Sequence, residues 1–130
     1  MIGLVLVTHA GLARELLAAA EMIVGPVEMA ETVGIQAGDP VDNIRTGIDE
    51  AIRKVNSEGV IIMTDMFGGT PSNMSLSFLE DNRIEVMTGV NLPMLIKFFS
   101  DRGKVGISEL AAQLKACGRE SISVAGDYLR

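Results

Sequence analysis

Two kinds of hydrophobic pattern alternate along this chain. Ile2-Gly3-Leu4-Val5-Leu6-Val7 is apolar without a polar interruption. That pattern suits a strand covered on both faces, as in a parallel sheet. Over residues 12–24 the apolar positions Leu12, Leu16, Leu17, Ala20 and Val24 are spaced to share one face of a helix, which Gly25-Pro26 ends. Thr32-Val33-Gly34-Ile35 predicts a second strand. Gly38-Asp39-Pro40 then marks a turn into a helix over residues 41–55, with Val41, Ile44, Ile48, Ala51, Ile52 and Val55 turned inward. Residues 59–64 repeat the buried-strand pattern. Residues 65–73 form a loop running into a helix, with Pro71 in its first turn. A fourth strand follows over 83–88, then helices over 92–100 and 108–116. Ser121-Ile122-Ser123-Val124 alternates polar and apolar residues, which predicts a half-exposed edge strand.

Strand–helix alternation with fully apolar strands predicts an α/β fold. It is an open, doubly wound, mostly parallel sheet in the flavodoxin-like order 2-1-3-4, with helices on both faces. The chain has 130 residues and no repeat or low-complexity linker, so residues 1–130 read as one domain. In such sheets the ligand crevice lies beyond the carboxyl ends of the strands, where the strand order reverses. The loops leaving strands one and three, Thr8-His9-Ala10-Gly11 and Asp65-Met66-Phe67-Gly68-Gly69-Thr70, then face each other.

Charge and composition narrow the chemistry. A net charge of −6 leaves no basic footprint for nucleic acid. No apolar run reaches the roughly 18 residues of a membrane span, and the first residues lack the basic segment of a signal peptide, so a cytoplasmic protein is expected. One cysteine, Cys117, and one histidine, His9, make neither a disulfide framework nor a two-histidine metal site. No cofactor or metal is expected.

His9 is a base, a nucleophile or a loop cap. Asp65 is either a helix N-cap or a partner that fixes the histidine tautomer and leaves the other ring nitrogen free to attack. The adjacent helix start favours an anion at this loop. Gly68 and Gly69 offer unhindered backbone N–H groups. Thr8, Thr70 and Ser72 offer hydroxyls to a phosphoryl group, or serve as ordinary turn and cap residues. Asn91 is a candidate N-cap. Met66, Phe67, Leu92 and Met94 form either an apolar docking rim or packing beneath the loops.

These residues have a family likeness. The stretches Val5-Leu6-Val7-Thr8-His9-Ala10-Gly11-Leu12-Ala13 and Ala20-Glu21-Met22-Ile23-Val24-Gly25 carry part of it. The more specific stretches are Thr64-Asp65-Met66-Phe67-Gly68-Gly69-Thr70-Pro71-Ser72-Asn73 and Thr88-Gly89-Val90-Asn91-Leu92-Pro93-Met94-Leu95. Through them the chain resembles the IIA component of the mannose/fructose-type phosphoenolpyruvate:sugar phosphotransferase system. The resemblance implies that His9 takes a phosphoryl group from phospho-HPr and passes it to a IIB protein. It implies that Asp65 hydrogen-bonds the active histidine, and that Thr70 keeps a hydroxyl where relatives often have Ser. It further implies a homodimer that exchanges an antiparallel C-terminal strand, with residues 121–124 as that strand. A free-standing IIA protein is expected, with no direct membrane insertion. Two alternatives stand beside this: the phosphotransferase subunit of dihydroxyacetone kinase, and a regulatory protein that senses phosphorylation state.

Overall fold

The computed structural model describes residues 1–130. The elements in chain order are β1 (Gly3–His9), α1 (Leu12–Val24), β2 (Ala30–Ile35), α2 (Val41–Val55), β3 (Val60–Thr64), α3 (Thr70–Leu76), β4 (Ile84–Thr88), α4 (Leu92–Asp101) and α5 (Ile107–Glu120). The four strands form one sheet in the order β2-β1-β3-β4. All three pairings are parallel. The expected order and the strand reversal between β1 and β3 are both present.

The uninterrupted apolar strands are explained by two cores. Leu4, Leu6, Ile61 and Met63 point to one face, where they meet Ala13, Ala20, Leu95, Phe98, Leu110 and Leu114 of α1, α4 and α5. Val5, Val7, Val60 and Ile62 point to the other, against Ile44, Ile48, Ala51, Ile52 and Val55 of α2. Each strand residue has a hydrophobic layer waiting on its own side, so alternation would serve no purpose. Each aliphatic side chain buried this way contributes roughly 1.5–3 kcal/mol.

Of the expected α1 face, Ala20 is buried and Leu16 and Leu17 pack against the core, joined by the buried Ala13, while Leu12 and Val24 at the two ends stay exposed. In α2 only Val41 departs from the expected inward set.

The C-terminal segment does not form the expected edge strand within the single chain. No strand forms at residues 121–124, and Ala125–Leu129 is a short 3₁₀ turn. The Ser121 hydroxyl donates to the Cys117 carbonyl, and the Ile122 N–H reaches back to Arg119. The segment thus finishes the α5 end, and within a single chain no strand lies alongside it. Ile122 and Val124 are exposed. No helix is long and apolar enough to cross a membrane.

Candidate active site

His9 belongs to β1 rather than to the loop after it, and pairs in register with Ile35 of β2. The strand is buried up to Thr8 and emerges at His9. A central strand therefore delivers the imidazole to solvent on a rigid support, with half of the side chain exposed. Thr8 holds the exit of the strand. Its hydroxyl accepts from the Ala13 N–H at 2.7 Å and donates to the His9 carbonyl at 3.2 Å.

Asp65 follows β3 directly and meets His9 across the switch point. Its Oδ2 accepts from the His9 backbone N–H at 3.0 Å and lies 2.8 Å from ring Nδ1. An ionised carboxylate only accepts, so the ring proton resides on Nδ1 and Nε2 keeps its lone pair. Oδ1 of Asp65 accepts from the Met66 N–H. Burial pushes the Asp65 carboxyl up, but hydrogen bonds from the His9 ring and backbone, with the electrostatic pull of that residue, outweigh it and hold the group below its usual value. The N-cap reading of Asp65 does not hold, because α3 starts at Thr70 with Gly69 as its cap.

The glycine loop lies on the far side of the ring. A Cβ built on Gly69 would stand 2.8 Å from His9 Cε1 and 3.2 Å from Nε2. A side chain at position 69 would thus press on the edge of the ring that carries the free nitrogen. The N–H groups of Gly68 and Gly69 make no hydrogen bond within the chain. Thr70 is exposed and lines a cleft of about 440 Å³ together with His9, Ile35, Gly38, Asp39 and Ile44.

The structure therefore brings His9, Asp65, Gly69 and Thr70 together, with Gly68 next to Gly69 in the same loop. It places Thr8 and Ser72 below the surface, both fully buried; the Ser72 hydroxyl has no partner within the chain. Of the apolar rim residues, Met66 and Phe67 are exposed, whereas Met94 is buried against Gly118 in the core. Asn91 caps α4 by accepting from the Met94 N–H and also donates to the Gly118 carbonyl, joining α4 to α5.

The turn after β2 is a part of the site that the sequence reading passes over. It walls the cleft beside His9, and Asp39 Oδ2 rigidifies it by accepting from the Gln36 N–H at 2.8 Å. A glycine inside a short strand pattern, Gly34, is the signal that could have pointed to it, since such a glycine often marks a close backbone approach.

Comparison with known proteins bears on the family and the fold. The family model described as "PTS system fructose IIA component" matches residues 3–115. The PTS system fructose-specific EIIA component of Bacillus subtilis (strain 168) is 30% identical, over 99% of this chain and 90% of its own. The PTS system mannose-specific EIIAB component of Escherichia coli (strain K12) is also 30% identical, over 93% of this chain, which spans 38% of that protein. The crystal structure of phosphotransferase system component EIIA from Streptococcus agalactiae superimposes with a TM-score of 0.89 at 24% identity, covering 98% of this chain and 99% of its own. The sheet order, the strand ends and the sequence stretches around them lead to one conclusion: the chain belongs to the family of PTS system fructose IIA components.

Proposed function

We propose that His9 is the phosphoacceptor of this IIA component, working in the cytoplasm between phospho-HPr and a IIB protein. The observation that carries the reading is the 2.8 Å contact between His9 Nδ1 and Asp65 Oδ2. It commits one nitrogen and leaves the other, Nε2, as the nucleophile. Nε2 attacks phosphorus, an N–P bond forms, and the N–P bond to the histidine of HPr breaks. Positive charge grows on the imidazole as this happens, and the Asp65 carboxylate stabilises it. The reverse step, with a histidine of IIB as acceptor, regenerates the starting ring.

The phosphoryl oxygens are met by the unused N–H groups of Gly68 and Gly69 and by the Thr70 hydroxyl. Thr8 acts from beneath, since its hydroxyl is already committed to Ala13 and His9. Ser72 supports α3 against the sheet.

The same reading extends to assembly. A homodimer forms in which residues 121–124 of each copy run antiparallel to β4 of the other. The outer edge of β4, which no strand of the same chain occupies, supports this, as do the exposed Ile122 and Val124. Such an edge is a ready template for a further strand.

The test is phosphorylation by phosphoenolpyruvate with Enzyme I and HPr, on the wild type and on His9→Ala. Acid-labile, base-stable phosphate is expected on the wild type alone. Equal labelling of a folded His9→Ala protein would sink the assignment.

A further inference from the structure

The chain turns sharply as it leaves His9. Ala10 has φ +50°, in the left-handed region that disfavours any residue with a side chain. Its N–H donates to the Ile35 carbonyl at 2.8 Å, which pins the turn to β2. Its own carbonyl folds back over that strand and lies against Gly34. A Cβ on Gly34 would overlap the Ala10 oxygen and stand 3.3 Å from the Ala10 carbonyl carbon.

Two ordinary reasons for a glycine are absent here. Gly34 is not in the left-handed region, so its backbone angles do not require it. It is exposed on an edge strand, so no core contact requires it either. What requires it is the Ala10 carbonyl. That group is backbone and cannot swing aside as a side chain would. The register sets Gly34 opposite Thr8 and Ile35 opposite His9. The contact therefore lies next to the residue whose backbone N–H and ring Nδ1 both bond to one oxygen of Asp65. Displacing the chain at Ala10 shifts both donors together.

We infer that Gly34 is a positioning residue for His9: with no side chain, it lets the Ala10 carbonyl dock on β2, and this fixes the turn that holds the imidazole on Asp65. The inference rests on His9 being the phosphoacceptor only for its effect on transfer. Its effect on the ring stands apart from phosphate.

The test is Gly34→Ala, read in two ways. The ¹⁵N shifts of the His9 ring report the tautomer. The wild type is expected to show one, with Nδ1 protonated, and the variant a mixture of both. The rate of transfer from phospho-HPr is expected to fall by at least about ten-fold, since a displacement of about 1 Å at a reacting group costs up to about 100-fold. Gly47→Ala is the control. It adds a methyl group 3.9 Å from Val33 on the same strand, away from the turn, and both readings are expected to stay as in the wild type.

If Gly34→Ala does not fold, the double variant Gly34→Ala/Ala10→Gly replaces it. Glycine at position 10 lets that carbonyl rotate clear of the new methyl group, so the fold returns while the ring stays mixed. A folded variant with the wild-type tautomer and wild-type transfer overturns the inference. Absence of phosphate on the wild type instead overturns the role of His9, and the tautomer reading still decides the role of Gly34.

Discussion

Gly69 stands beside the edge of the His9 imidazole that carries its free nitrogen, with room for no more than a hydrogen on its Cα. A methyl group on Gly69 would stand 3.2 Å from Nε2 and 2.8 Å from Cε1. Gly69→Ala is therefore expected to crowd the accepting atom while leaving the core untouched. Phosphorylation should slow by about 100-fold, the scale of a misplaced reacting group, with little change in the melting temperature. Initial rates with phospho-HPr, set beside a thermal melt, check this. An unchanged rate would mean that Nε2 is not the accepting atom.

Asp65→Asn keeps the shape of the side chain and removes its charge. An amide can offer N–H to the ring instead of accepting from it, which would place the ring proton on Nε2 and close the nucleophile. By analogy with the loss seen when a tautomer-fixing carboxylate becomes an amide, a fall of the order of 10²–10⁴ in transfer rate is expected. Rapid-quench measurement of phosphoryl transfer tests it.

Stability should depend on pH through the same carboxyl. Its folded pKa lies below the ordinary aspartate value, so the unfolded chain binds the proton more tightly. The contribution is complete above the unfolded value and is lost as pH falls through the lower folded value. Urea unfolding of the wild type and Asp65→Asn between pH 7 and pH 2.5 should show a constant gap down to about pH 5 and a narrowing gap below. A gap that widens with acid would contradict the assignment.

Phe98 is fully buried, packs edge-on against Phe99 at 5.3 Å, and lies under the Arg102 guanidinium. Phe98→Ala should destabilise the fold by about 3–5 kcal/mol. Chemical denaturation measures that directly. Because the ring lies on the opposite face of the sheet from α2 and away from His9, the transfer rate of the folded fraction should hold.

Assembly is checked by light scattering after size exclusion. The full chain is expected to run as a dimer at micromolar concentration, and a chain ending before residue 121 as a monomer. A full-length monomer would count against strand exchange.

The sequence made the fold legible because each central strand is apolar on both sides, which only a two-faced sheet explains. His9 and Asp65 were legible through topology: they close the two strands that flank the reversal of strand order. Three features were not. The burial of Ala13 in place of Leu12 at the start of α1 is one, since helical spacing alone does not rank Ala13 above Leu12. The burial of Thr8 depends on a hydrogen bond to Ala13, five residues on, that no pattern records. The last segment alternates like a strand, yet alternation describes a side-chain preference and not a partner. Within one chain, residues 121–124 close a helix instead.

His9 and Asp65 are 56 residues apart in the chain. They meet because β3 pairs beside β1 after the whole β2–α2 excursion has been made. Closing so long a loop costs entropy that only the packed sheet recovers. During synthesis the histidine leaves the ribosome early and stays without its carboxylate until β3 has emerged and docked. On the proposed role of His9, competence to carry phosphate therefore arrives late in folding, and labelling at His9 would count folded molecules rather than chains.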